Sequence, residues 1–258
     1  MKDKFIIQYA LIAVSVVFIQ GCFDPPEFPV EPKVSANNVS YASYDGPDSL
    51  ILTFNFEDGD GDIGLGSEET QPPYHRRNFI IDSSEPPRFV SLRGEDYTLP
   101  FYAINEFDET RTLWSESDDR PAYNCLNYEP FDSLAVQYDD STAFISDTLY
   151  VVKNEFNKNI YVSFYRKVLG EYSPITDKEF AGNQECPDTF DSRFPIFDNR
   201  NIGRALSGTI SYAMISVGFE TIFRNDSIMI EFYIYDRALN RSNIARTEDF
   251  VLADIQKN

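Results

Sequence analysis

From Leu50 to Phe56 the chain alternates: Leu50, Leu52, Phe54 and Phe56 fall on one face, Thr53 and Asn55 on the other. That period of two belongs to a strand with one buried side. The same alternation recurs in Ile160 to Phe164, Ile210 to Tyr212 and Ile228 to Tyr235, and in shorter form in Arg88 to Leu92, Leu134 to Tyr138, Thr148 to Val152 and Asp249 to Leu252. Helical periodicity is nearly absent, and the pattern predicts at most one turn of helix, in Phe101 to Phe107. Clusters rich in Asp, Ser, Gly and Pro, such as Tyr44 to Asp48 and Ser83 to Pro87, separate the apolar runs. Many short strands with turns between them predict an all-β, antiparallel sandwich.

Ser115 to Asn127 is the least strand-like stretch and marks a candidate internal boundary. Two distinctive polar runs lie near opposite ends of the chain, each directly after a strong strand. That placement favours one immunoglobulin-like antiparallel β-sandwich over residues 34–254 with a large middle insertion; two small β-sandwiches are the alternative. In such a fold the B–C and F–G loops share one end. If Leu50 to Phe56 acts as a B-like strand and Ile228 to Tyr235 as an F-like strand, the loops after them meet.

The N-terminus reads differently. A short basic start, Met1 to Lys4, precedes an apolar run from Phe5 to Ile19, the grammar of a secretory signal peptide over residues 1–21. As a helix the run spans about 22 Å, short of a hydrocarbon core of about 30 Å. Ile19-Gln20-Gly21-Cys22 resembles the lipobox of bacterial lipoproteins, in which a small residue precedes an acylated cysteine, although Gln20 is atypical. The resemblance makes Cys22 the lipid-bearing first residue of the mature protein; the alternative is an ordinary signal peptide. Four prolines between Phe23 and Pro32 make residues 22–33 an extended tether. Membrane attachment then rests on acyl chains alone.

The first polar run is Glu57-Asp58-Gly59-Asp60-Gly61-Asp62-Ile63-Gly64, and the second is Asp236-Arg237-Ala238-Leu239-Asn240-Arg241-Ser242-Asn243. Three carboxylates at alternate positions with glycines between them suit a hard cation such as Ca²⁺, which takes six to eight oxygen ligands. Asp58, Asp60 and Asp62 begin the candidate site, and Asp236 and Asn240 complete it if the loops meet. The spacing resembles the start of an EF-hand loop, and Glu69 falls at its twelfth position, but Ile63 stands where that loop needs glycine. A solvated acidic turn is the competing reading, and Arg237 is a cation able to neutralise the acids without a metal.

The DGDGDIG run, the DRALNRSN run and the loose lipobox together resemble a group of uncharacterised outer-membrane lipoproteins of Bacteroidota. The resemblance implies an outer-membrane location, facing the periplasm or the cell surface, and carries no catalytic residue with it. Asp-Ser/Thr-apolar triplets at Ser49, Ser133, Thr148, Thr189 and Ser227 are similar to the acceptor pattern for O-glycosylation of exported proteins in the same bacteria. They also suit turns that open strands.

The formal charge is -20, and because the leader contributes +1 the mature part carries -21. Such a body repels nucleic acid and anionic lipid surfaces. With 42% apolar and 15% aromatic residues the chain has ample material for a core. Cys125 and Cys186 form an even pair in an oxidising compartment. A bridge between them closes a loop of about 60 residues and restricts the unfolded chain by roughly 4 kcal/mol; two buried thiols are the alternative. The single histidine, His75, reads as a surface residue. No HExxH, GxSxG or Gly-rich phosphate loop is present.

These features describe a lipid-anchored, non-catalytic binding or accessory module serving an outer-membrane or cell-surface complex. A surface glycan-binding lipoprotein using Tyr and Phe as stacking platforms is the second reading, and a carboxylate-dependent hydrolase the third. Replacing Cys22 by Ser is expected to move the protein from the membrane pellet to the soluble fraction in detergent-free fractionation; an unchanged pellet would contradict acylation there.

Overall fold

The computed structural model describes residues 27–42, 48–92, 97–107, 110–138, 141–181, 189–197, 203–216 and 218–256. Cys22 and Cys186, and with Cys186 the pairing expected for Cys125, lie outside them, as does most of the turn cluster at residues 43–47.

The fold is all-β and its ladders are antiparallel. Strand β2 (Ser49–Asp58) sits between β1 (Lys33–Ala42) and β10 (Leu206–Ile215) in a three-stranded sheet. A four-stranded sheet runs in the order β12 (Ala245–Arg246), β11 (Ile228–Ile234), β8 (Ile160–Val168) and β9 (Glu171–Ile175). The alternation in β2 does what its period requires. Leu50, Leu52, Phe54 and Phe56 point inward and are buried, while the residues between them reach solvent to varying degrees.

The inner faces of these two sheets share one core. Phe54 of β2 and Phe232 of β11 meet at 5.0 Å between ring centroids, and Val162, Phe164, Ile210, Ile230 and Ile234 surround them. Two short helices, α1 (Asp177–Ala181) and α2 (Phe219–Phe223), bring Phe180, Phe219 and Phe223 against Phe164 at one side of this core.

Between β2 and β8 the chain forms a separate five-stranded sheet. Its order is β5 (Arg111–Ser115), β4 (Phe101–Asn105), β3 (Arg77–Ile81), β7 (Ser141–Lys153) and β6 (Tyr128–Tyr138). Both faces of this sheet carry apolar clusters. Ile80, Phe101 and Tyr150 fall on one, Phe79, Leu149 and Val151 on the other. Pro130 is tolerated because β6 lies at an edge.

Several expectations change. Phe101 to Phe107 is not a helical turn: Phe101–Asn105 is strand β4, paired on both sides by β3 and β5. Phe101, Tyr102 and Ile104 alternate faces there, a period too short to distinguish without neighbours. Arg88 to Leu92 and Asp249 to Leu252 supply only isolated bridges, at Phe89, Ser91 and Phe250. Strand β1 begins at Lys33, the last residue of the stretch read as tether, and is not among the strands that the pattern predicts. A bulge between Ala36 and Asn38 breaks its alternation and hides it from a period-two reading. The stretch 115–127 joins the two edge strands β5 and β6 of the one five-stranded sheet, with the Tyr128 hydroxyl donating to the Pro121 carbonyl.

Phe54 and Phe232 are both fully buried, so Phe54→Ala is expected to cost about 3–5 kcal/mol in urea unfolding. Phe144→Ala, at a position 68% exposed on the β6–β7 hairpin, should stay within about 0.5 kcal/mol.

Candidate metal centre

Strand β2 delivers Asp58 at its last position, and strand β11 ends two residues before Asp236. Because β2 and β11 face each other across the core, the loops following them emerge at the same end of the sandwich. The structure brings four of the predicted residues together: one carboxylate oxygen from each of Asp58, Asp60, Asp62 and Asp236 lies within 4.8 Å of every other. Two ligands of one Ca²⁺, each at about 2.3–2.6 Å, are at most about 4.6–5.2 Å apart, so the spacing fits a common ion.

The cluster is buried. Asp58 is fully inaccessible, Asp236 is 3% and Asp62 9% exposed. Asp58 Oδ2 accepts the backbone N–H of Asp62 at 3.0 Å, which curls the loop over its own first residue. Oδ1 of Asp58, of Asp60 and of Asp62 is buried with no hydrogen-bond partner. Orphaned anionic oxygens of this kind are costly.

Asn240 serves Asp236. Its backbone N–H donates to Asp236 Oδ1 at 2.7 Å and its side-chain Nδ2 to Oδ2 at 2.8 Å, fixing the carboxylate's orientation. The turn closes with Leu239 at φ 70° and a bridge between Tyr235 and Arg241. The backbone N–H of Arg237 reaches the carbonyl of Asp62 at 3.3 Å and ties one loop to the other.

Arg237 does not neutralise the cluster by direct pairing. Its Nη1 donates to Glu69 Oε2 at 2.6 Å and its Nη2 lies 2.5 Å from Oε1, a two-pronged pair beside the Tyr74 ring. That pairing, with the Gly66 N–H, holds the Glu69 carboxyl below its ordinary range. Glu69 is thus committed to Arg237, and Ile63, at the position where an EF-hand needs glycine, is 1% exposed in the core. The loop is not an EF-hand.

Sequence reasoning missed the residues that hold the loop. Arg193 donates to the carbonyls of Gly66, Glu69, Tyr74 and Asn157, clasping the returning chain from 66 to 74. Gly64 has φ 105°, and a Cβ there would fall 2.5 Å from the Pro195 carbonyl oxygen. Gly59 meets the carbonyls of Phe28 and Pro29 at 2.5 and 2.6 Å from where its Cβ would be, so the end of the Pro-rich segment lies directly on the acidic loop. Asn243 holds the start of β1 through the N–H and C=O of Val34. Nothing in the sequence pattern marks these long-range contacts.

His75, read as a surface residue, is 7% exposed; its ring meets Asn78 Oδ1 at 2.9 Å and Asn154 Nδ2 at 3.3 Å. Packing of the 66–76 loop against the turn after β7 buries it. Of the candidate glycosylation positions, Ser133 is exposed at a bulge in β6, whereas Ser49, Thr148, Thr189 and Ser227 are half-buried. The Thr189 hydroxyl accepts from Lys158. Cys125 lies in the turn before β6. Tyr161 and Tyr233 stack on each other, centroids 5.1 Å apart and planes 9° off parallel, and Arg241 covers Tyr233 at 3.9 Å. These ring faces are already taken.

No protein family, curated protein or solved structure matches this chain.

Burial, then the charges of Asp60, Asp62 and Asp236, push the Asp58 carboxyl up to about 7. Burial raises Asp236 to about 6 despite the opposing hydrogen bonds from Asn240, and burial followed by Asp60 raises Asp62. The ion-free folded protein therefore binds protons more tightly than the unfolded chain. The contribution of these raised carboxyls to stability is fully present below about pH 4 and is lost as pH rises through about 6 to 7. With chelator present, the thermal midpoint is expected to fall between pH 5 and pH 8, and Asp58→Asn should flatten that slope. A profile that is flat in the wild type, or unchanged in the variant, would contradict the electrostatic account.

Proposed function

We propose that this protein is a lipid-anchored, non-catalytic binding or accessory module of the bacterial outer membrane, whose sandwich is locked at one end by a structural Ca²⁺. The observation that carries the ion is the set of four converging carboxylates with three orphaned oxygens, while Arg237 is engaged elsewhere. An all-oxygen donor set suits a hard cation, and backbone carbonyls and water are available to complete six to eight ligands. Ca²⁺ neither changes redox state nor activates water as Zn²⁺ does, so its work here is to offset repulsion and to pin two loops. Three of the four acids are under a tenth exposed, which admits an ion and keeps out a substrate.

The export leader, the lipobox-like Cys22 and the proline-rich approach to β1 support the anchored part of this reading. An immunoglobulin-like arrangement agrees with β2 and β11 lying in opposite sheets and offering their loops at one end. The partner we propose is a protein of an outer-membrane or cell-surface complex, and pull-down of the acylated protein from gently solubilised outer membrane, followed by mass spectrometry, is the way to find it.

Calcium at a hundredfold excess over its Kd is expected to stabilise the fold by roughly 2.7 kcal/mol, read as a rise in Tm relative to chelator. Asp60→Ala should remove the rise. An absent shift in the wild type, or an equal shift in Asp60→Ala, would leave the acidic turn as the better reading.

A further inference from the structure

On a body with a formal charge of -20, positive side chains collect at one place outside the acidic loops. Arg77 of β3 and Lys153 of β7 are cross-strand partners, and Arg76 precedes Arg77. Like charges directly opposite in a ladder destabilise it. All three converge on one carboxylate. Arg76 Nη2 lies 3.1 Å from Glu129 Oε1, Arg77 Nε 3.4 Å from Oε2, and Lys153 Nζ also contacts Oε1. Three cations thus share the one carboxylate. Lys158 adds its field to Lys153 and donates to Thr189. Glu106 acts on Arg77 and Asp132 lines the rim, so with Lys158 four cations stand against three acids, Glu129 included.

The cluster opens into a cleft of about 490 Å³, lined by Arg76, Arg77, Glu129, Phe131, Ser133 and Leu134. Phe131 and Phe79 hold the Arg77 guanidinium at 4.9 and 5.5 Å from their ring centroids, so this cation cannot swing away. Arg76, its side chain 62% exposed, can turn from Glu129 to a ligand, while Lys153, 39% exposed, contacts the same carboxylate. The floor runs along the edge strand β6, where the ladder with β7 is interrupted between Phe131 and Leu134. Bulges at sheet edges re-aim side chains and backbone groups toward sites.

We propose that this cleft is a binding site for a small oxyanion of the sulfate or phosphate type, held by Arg76 in front of the fixed Arg77, with Lys153 beside them on Glu129. Such an anion offsets the positive charge left over after Glu129, Glu106 and Asp132, and guanidinium forks match its oxygens. The acidic body repels extended polyanions at longer range, so the site takes one isolated anionic group. That group is either a free ion or one carried on a glycan or a lipid headgroup. This inference is independent of the cation site.

The test is thermal-shift and calorimetric titration of the wild-type protein with sodium sulfate and sodium phosphate, chloride replacing them at constant ionic strength. Both arms contain chelator, because added Ca²⁺ would precipitate phosphate and bridge the acidic protein to anionic lipid. A saturable response to the oxyanions, weakened at least fivefold by the exposed-site variant Arg76→Ala, is expected. Glu129→Gln should tighten binding by removing the competing carboxylate, an effect a purely structural ion-pair network would not give. Co-sedimentation with phosphatidylcholine vesicles containing phosphatidylglycerol separates the sources. Binding lost in Arg76→Ala assigns the group to lipid; inorganic binding without vesicle binding assigns it to a free or glycan-borne anion. A response matching chloride in every arm, or one indifferent to Arg76→Ala and Glu129→Gln, would overturn the proposal.

Discussion

Four carboxylates held within 4.8 Å of one another at the closed end of a β-sandwich set the central constraint on this molecule. Like charges at that distance repel by several kcal/mol in a partly buried setting, and burial adds the loss of hydration. Two routes relieve such a cluster: protons, which the raised affinity of Asp58 and Asp236 shows the fold would take up, or a cation. The geometry suits the second without further movement. Each loop is already fixed by contacts that do not involve the carboxylate oxygens left without partners.

Those contacts explain why the loops hold their shape. Asn240 orients Asp236 with two hydrogen bonds, and Asp58 orients the N–H of Asp62. Arg237 and Glu69 satisfy each other, so the nearest guanidinium is prevented from collapsing onto the acids. Arg193 gathers four carbonyls of the long return from β2 toward β3 and the turn beyond β7. The segment leading from the expected lipid anchor then lies against Gly59, between two of the four acids. The approach to the first strand and the acidic loop are thus joined at one end.

The inserted five-stranded sheet has a different electrostatic character. It carries apolar clusters on both faces and gathers Arg76, Arg77 and Lys153 around Glu129. The unpartnered carboxylate oxygens thus lie at the sandwich loops and the densest group of cations on the insertion. A body this acidic has no need of a basic cleft for solubility, which turns attention to what that cleft would hold.

How much was legible in the sequence depends on the range of the interactions involved. Strands β2, β8 and β11 could be read directly, because burial of one face writes a period of two into consecutive residues. The acidic run was visible for the same reason: its three carboxylates are local. Joining it to Asp236 took an added fold rule, that loops after facing strands share an end, and the fold brings the four carboxylates within 4.8 Å of one another. Strand β1 stayed hidden because a bulge breaks its period, and β4 looked like a turn because five residues carry too little pattern. The partners of Arg237, the clasp by Arg193 and the burial of His75 were decided only by tertiary structure. Each joins residues between 79 and 168 positions apart, or is enclosed by such contacts, and local sequence carries no record of what distant packing will bring alongside.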